Sequence, residues 1–448
     1  IISIYFTPLG LHGDEAQYWA WSKHIDMGYF SKPPILPILI RIFSIFFGDS
    51  VFGIKIVSIV IYFITSVGVF LLSKKLYNFK IALVCGISFF LLPGVSFSSF
   101  IASTDVPLLM FWTFSLYFLI IQIQNPNLLY SIILGTCLGL GFLSKYAMIF
   151  FFFSSFFYLY FDREFYSQLI KNKGYYILTL FIFIIIVSPN LYWNIENDWL
   201  TFKHTADNAS IKLERLNFIK FFEFIMAQIF IISPVLFFMS VFFYKIILIL
   251  SKKNIFLLCY SIPIILLIMI ESLLVRAHGN WAAVSYVTLT ILLISNIFIA
   301  RPNFILINNL INMLIGFLFF CLIIINHDIK IFEQLRGYKD FAKYIDEQCS
   351  ELKIDNIVIQ DRMILYLINY NLRSKDYNLY SPRNPGSAIA YHFQIKNSLP
   401  LNFNKDFLYI GSPNHVLYLE NLFDKSLIAE KNINSEAKKI EIYKFITD

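Results

Sequence analysis

The chain of 448 residues is 58% hydrophobic and only 15% charged, and its apolar residues come in long runs instead of the alternation of a soluble core, which excludes a water-soluble globular fold. Its net charge of +7 forms no dense basic stripe able to neutralise many phosphates, which excludes a nucleic-acid partner. The cysteines Cys85, Cys137, Cys259, Cys321 and Cys349 are scattered without metal-ligand spacing and argue against a disulfide framework.

Taken in chain order, Ile1–Gly10 reads as the tail of a truncated span, position 1 being Ile and not Met, with a cleaved signal peptide as the alternative. Further apolar stretches follow at 51–72, 81–101, 106–123, 129–143, 146–161, 175–191, 218–248, 255–273, 282–300 and 304–325. They reach or approach the roughly 20 residues that cross a hydrocarbon core. A lipid-immersed backbone must close its own hydrogen bonds, so about eleven transmembrane helices are predicted. Gly135, Gly139 and Gly141 lie inside one span, where close helix packing explains them.

Charge orients these spans. With the N-terminus inside, the short segments 73–80, 162–174, 251–254 and 301–303 are cytoplasmic and carry Lys74, Lys75, Arg163, Lys171, Lys173, Lys252, Lys253 and Arg301. The long segments 11–50, 192–217, 274–281 and 326–448 then lie on the outer face. The predicted domains are therefore a transmembrane catalytic domain over 1–325 and a small α/β domain over 326–448. The latter has helix-like stretches at 338–349 and 362–371, and strand-like ones at 356–360, 407–410 and 440–445.

The first outer segment reads L-H-G-D-E-A-Q-Y-W-A-W-S-K-H-I-D-M-G-Y-F-S-K-P-P-I, unusually polar for so apolar a chain. Asp14 and Glu15 follow a span directly, where a partly shielded carboxylate can serve as a general base. Tyr18 lies one helical turn beyond Asp14. Lys32 precedes two prolines that fix the backbone, which suits an ammonium held against a phosphate. The plainer reading makes Trp19, Trp21 and Tyr29 an interfacial aromatic belt beside solvated charges.

Asp105, in S-T-D-V-P-L, either caps the helix that begins near Val106 or serves function. Lys145 lies between two spans, and snorkelling to the outer surface is its simplest expectation. Lys203 and His204 on the second outer segment, with Arg276, His278 and Asn280 in R-A-H-G-N-W, can form an anion site. No H-E-x-x-H, C-x-x-C or Walker motif occurs, which leaves metalloprotease, thiol-redox and nucleotide-hydrolysing chemistry without support.

The order D-E-A-Q-Y-W, G-Y-F-S-K-P-P, S-T-D-V-P-L resembles that of the bacterial GT-C glycosyltransferases of the protein O-mannosyltransferase and lipid A aminoarabinose transferase superfamily. The likeness extends to Lys145, the N-D-W loop, G-N-W-A and a tail that starts Q-L-R-G-Y-K and contains I-Q-D-R-M and Y-H-F-Q-I. The resemblance implies an inverting transferase at the outer, periplasmic face of the bacterial inner membrane. It would take a sugar from a polyprenyl phosphate and pass it to a lipid, glycan or protein acceptor. Carried over by motif, Asp14 is the base with Glu15 beside it, Tyr18 and Lys32 hold the donor phosphate, and Asp105 supports the same cavity.

Ser31 stands where the aminoarabinose transferases have a metal-binding glutamate, so no cofactor is expected and a divalent metal is doubtful. His204 matches their second-loop histidine, while Asn208 stands near an expected arginine, for which Arg276 is the substitute. Two other classes compete. A transporter or flippase for a polyprenyl-linked sugar predicts broken spans and ionisable groups at the midplane, and a membrane-anchored binding protein leaves the acidic first segment unexplained.

Overall fold

A computed structural model describes residues 1–208, 216–325, 329–384, 386–412, 416, 419, 426–435 and 438–446, so parts of the second outer segment and of the tail lie outside it. Helices Val51–Leu76, Asp105–Gln124, Lys173–Glu196, Lys252–Leu274 and Pro302–Ile325 are long and apolar enough to cross a membrane. Shorter apolar helices, Phe79–Phe90, Leu128–Ser144, Tyr146–Phe161 and Ser285–Ala300, occupy other predicted stretches. The chain is thus a polytopic helical membrane protein with a small C-terminal sheet.

Predicted stretches differ in places. The segment 81–101 breaks into Phe79–Phe90 and Pro93–Ser98. The segment 218–248 is not one helix but three, Phe218–Ile232, Pro234–Phe242 and Tyr244–Ile247, the first two bent by 96°. Pro234 lacks the N–H that would continue the first helix and drives the preceding residue out of the helical region, and Ser233 adopts φ +103°. The Ser233 hydroxyl donates to Asn308 Oδ1 at 3.0 Å, which satisfies a polar group buried at the break. The segment 11–50, expected to be a loop, is largely helical, with Gly13–Lys23 and Ile35–Phe47.

Contacts divide the chain into two compact units. One comprises Met27–Leu39 and Lys55–Phe320. In it Gly135 and Gly139 let helix Leu128–Ser144 approach helix Lys173–Glu196, because a Cβ at Gly135 would stand 2.5 Å from Thr179 O and one at Gly139 2.7 Å from Ile186 Cγ2. Close packing of this kind replaces the hydrophobic drive that is missing between helices in lipid.

The other unit joins Ile2–Asp26 and Ile40–Ile54 to Cys321–Asp448. Its sheet has strands β1 (Asn356–Ile359), β2 (Asn378–Tyr380), β3 (Phe407–Gly411), β4 (Ser426–Ser435) and β5 (Lys438–Ile446), in the order β2-β1-β3-β5-β4. β1 is parallel to β2 and β3, and β3 and β4 are antiparallel to β5. The apolar run N-I-V-I makes β1 buried throughout, as expected of a central parallel strand. Val358, Phe407, Tyr409 and Phe445 anchor the core beneath it. Asp361, two residues beyond β1, caps the next helix, Arg362–Asn371, by accepting from Met363 N at 2.8 Å and Ile364 N at 3.0 Å.

The N-terminal segment is fastened to this unit. Gly10 N donates to Leu335 O at 2.8 Å, and the His12 ring is 2.9 Å from Gln334 Oε1. Trp19 Nε1 donates to Asp49 Oδ1 at 3.0 Å, and its ring meets Tyr370 edge-on at 5.0 Å. The Asp49 carboxyl is opposed by burial, yet bonds from Lys23 and Trp19 hold it below the ordinary carboxylate range. His392 packs edge-on against Trp21 at 5.4 Å, and burial pushes its pKa down to about 4 from 6.5.

Between pH 6.5 and about 4 the unfolded histidine takes up a proton that the folded one refuses. Stability present above this window is lost as the pH falls through it, by an amount on the order of 3 kcal/mol at most. Amide exchange of β1 in detergent is expected to accelerate over that window in the wild type and to lose this dependence in His392→Phe.

Candidate active site

In the tail-containing unit the acidic motif opens helix Gly13–Lys23, with His12 as its N-cap. His12 Nδ1 accepts from Asp14 N at 3.3 Å, and Glu15 Oε2 accepts from His12 N at 2.8 Å. The paired bonds satisfy amides that a helix start leaves without partners. Glu15 is fully buried, so its carboxylate has a capping duty. Asp14 stands out into partial solvent, its side chain 42% exposed, with Arg362 Nη1 at 3.0 Å from Oδ1 and His12 Nδ1 at 3.8 Å from Oδ2. Arg362 Nη1 also donates to Gln17 Oε1. Tyr18 is buried, with its ring edge-on to Trp21 at 5.5 Å.

In the unit of spans Asp105 opens helix Asp105–Gln124, and Thr104, its N-cap, makes no side-chain capping bond. Both Asp105 oxygens are used instead. Lys145 Nζ donates to Oδ1 at 2.7 Å and Asn280 Nδ2 to Oδ2 at 2.7 Å. The snorkelling expected of Lys145 is therefore corrected: a buried carboxylate within reach is a better partner for an ammonium than a longer path to water. Lys55, unremarked in the sequence, is fully buried inside helix Val51–Leu76 and donates to Phe100 O at 3.0 Å. With Ser58, which donates to Ile101 O at 3.0 Å, it fixes the turn that leads into Asp105. A lysine amid V-F-G-I-K-I-V-S-I-V was the available signal.

Lys32 sits in a turn closed by Tyr29 N donating to Lys32 O at 3.1 Å. Neighbouring helices hold that turn. Thr201 Oγ1 donates to Tyr29 O at 2.7 Å and Asn190 Nδ2 to Met27 O at 2.6 Å. Gly28 must be glycine here, since a Cβ would stand 2.5 Å from the Trp193 ring. His204 comes edge-on to Phe30 at 5.1 Å, which brings the second outer segment to the Lys32 turn.

Charge converges on His278. Burial first, then the cations Arg276, Lys145, Lys220 and Lys32, lower its pKa, so the imidazole is neutral at pH 7. Lys145 is paired with Asp105, and Lys220 with Glu223 at 2.7 Å. Cations from distant parts of the chain thus contribute to the field at His278, Arg276 most strongly. Of the predicted residues, Lys32, Asp105, His204 and Arg276 belong to this unit and Asp14, Glu15 and Tyr18 to the other. No cluster of three or more His, Cys, Asp or Glu arranged for a metal occurs among the described residues.

Residues 31–193 match the profile of the dolichyl-phosphate-mannose-protein mannosyltransferase family. The chain is 27% identical over 425 residues to the lipid A galacturonosyltransferase RgtD of Rhizobium johnstonii, covering 92% of this chain and 88% of that one. It is 26% identical over 166 residues to the undecaprenyl phosphate-alpha-4-amino-4-deoxy-L-arabinose arabinosyl transferase of Pseudomonas savastanoi pv. phaseolicola, covering 32% and 30% of the two chains. In fold it matches ArnT of Cupriavidus metallidurans with a TM-score of 0.70 at 12% identity, over 99% of this chain and 95% of ArnT. A membrane-embedded glycosyltransferase is the class these findings define. Within it, the chain is similar to the protein mannosyltransferases over residues 31–193 and to a lipid A sugar transferase over most of its length, with the fold of ArnT.

Two outcomes are expected from this geometry. Lys145→Met leaves the Asp105 carboxylate buried without its ion partner and should cost about 3–5 kcal/mol, read as a lower melting temperature in detergent, with most of the loss recovered in Lys145→Met/Asp105→Asn. A short-chain isoprenyl phosphate should offset the cations around His278 and raise its pKa, which NMR titration of the labelled ring would follow. An unchanged titration would mean that no anion is bound there.

Proposed function

We propose that the protein transfers a sugar from a polyprenyl-phosphate donor, with inversion, to lipid A at the periplasmic face of the inner membrane. The observation that carries this reading is the loop R-A-H-G-N-W, whose Arg276 acts most strongly among the cations on His278 and whose Asn280 bonds Asp105 at 2.7 Å, in a chain with the ArnT fold, for which a structure bound to undecaprenyl phosphate also matches. Extensive similarity to a lipid A galacturonosyltransferase supports lipid A as acceptor and a hexuronic acid as the sugar. Other envelope glycans or a protein remain alternative acceptors under the same chemistry.

In this scheme Asp14 accepts the proton of the acceptor hydroxyl as that oxygen bonds to the anomeric carbon. The bond from that carbon to the donor phosphate breaks on the opposite side, which inverts the centre and releases polyprenyl phosphate. Lys32, Arg276 and His204 hold that phosphate, and Asp105 fixes Lys145 and Asn280 beside the cationic group. Phosphate leaves readily once its charge is met by preorganised cations, so no separate general acid is needed. The donor set at Ser31 gives no carboxylate for a metal, and no step is assigned to one.

A flippase would need ionisable groups at its broken span. The break at Ser233 holds a hydroxyl bonded to an asparagine instead.

The test is reconstitution in vesicles with a labelled polyprenyl-phosphate sugar and lipid A. Asp14→Asn is expected to lower the rate of transfer by roughly 10²–10⁴-fold, the usual worth of a general base. Transfer that survives the change removes Asp14 from the role. Label that crosses the bilayer without reaching lipid A favours the flippase.

A further inference from the structure

We propose that Arg362 reads a carboxylate on the transferred sugar and makes the enzyme selective for a uronic acid over the corresponding neutral hexose. The proposal rests on the donor reading above and assigns its specificity to one side chain of the tail.

Arg362 lies at the carboxyl end of β1, and the sheet order makes that place special. The chain leaves β1 for β2 on one side and returns to β3 on the other. The crevice at such a switch point, beyond the carboxyl ends of parallel strands, is where open α/β sheets take their ligands. Asp361 already accepts from two amides at the start of the helix that follows, Met363 N and Ile364 N. The guanidinium is the charged anion-binding group at this place.

Its bonding is lopsided. Nη1 serves both Asp14 Oδ1, at 3.0 Å, and Gln17 Oε1. Among the described residues no acceptor is recorded for Nε or Nη2, and the side chain is 34% exposed. The two donors on that open edge are spaced to grip a carboxylate with parallel bonds, a geometry that arginine provides and lysine does not.

Electrostatics supplies the reason for the arrangement. A uronic acid brings its own negative charge close to a reaction whose base, Asp14, is also negative. Like charges at that range repel strongly. A guanidinium that touches the base on one edge and offers the other to the sugar offsets both. A neutral hexose has no such need, and an amino sugar would be repelled.

The test compares full-length wild type, Arg362→Gln and Arg362→Lys in nanodiscs on two polyprenyl-phosphate donors, one with a hexuronic acid and one with the hexose of the same configuration. Lipid A with and without its phosphates serves as acceptor. Arg362→Gln is expected to lower kcat/KM for the uronyl donor roughly 10- to 100-fold more than for the hexosyl donor, with an unchanged melting temperature in detergent showing that the variant is folded. Arg362→Lys, which keeps the charge without the fork, should lose part of the preference. Equal loss on both donors would reduce Arg362 to a support for Asp14 and overturn the proposal, as would an unchanged preference in both variants. A loss that tracks the acceptor phosphates would move the contact to lipid A and overturn it too. Wild type that transfers neither sugar would sink the donor reading itself, and this proposal with it.

Discussion

Asp105 and Lys145 make a contact on which the order of the spans turns. A carboxylate among apolar helices is costly without a partner, and removing either member of such a pair leaves the other charge stranded. Lys145 meets one oxygen and Asn280 the other, each at 2.7 Å. Three segments far apart in the chain, S-T-D-V-P-L, F-L-S-K-Y-A and G-N-W-A, are thereby held at one point. Non-directional apolar packing between helices would not choose that register by itself, whereas two short hydrogen bonds do. Lys55 and Ser58, holding the backbone at Phe100 and Ile101, extend the same constraint upstream.

The tail unit solves a different problem. Helix Gly13–Lys23 is short and mixes acids, indoles and a lysine, so it has little stability of its own. Its order comes from the capping bonds of His12 and Glu15, and from Trp19, Tyr370 and Asp49 around its far end. The residue proposed as base is therefore held by tertiary contacts with the tail. A tail that contributes Arg362 to the surroundings of Asp14 is part of the chemistry in this view.

Hydropathy carried most of the span positions, because lipid demands long apolar helices whatever their tertiary partners. The same signal could not see the 96° bend, which comes from one Ser-Pro step inside an otherwise continuous apolar run. It also missed the helix at Asp14, whose residues have no clear amphipathic period and which is set by caps and contacts. The motifs singled out Lys145 and Asp105 separately, yet their pairing depends on the packing of distant segments. Arg362 stood in I-Q-D-R-M, marked as part of a resemblance, with nothing local to point to Asp14. β2 and β4 escaped because the former is three residues long and the latter alternates poorly.

The choice of Arg276 for the positive charge absent at Asn208 gains a physical basis from His278. Among the charges that lower that histidine's pKa, Arg276 acts most strongly, ahead of Lys145, Lys220 and Lys32. Lys145 and Lys220 are each bound to a carboxylate, so the field of either pair falls off as a dipole and adds little to a phosphate a few ångströms away. Arg276 lies exposed in the loop before Gly279 and is always charged. A neutral imidazole two residues on adds a hydrogen-bonding group without competing for the phosphate's charge or repelling its neighbours. The loop R-A-H-G-N-W thus contributes a cation from Arg276, a neutral polar ring from His278 and, through Asn280, a bond to Asp105.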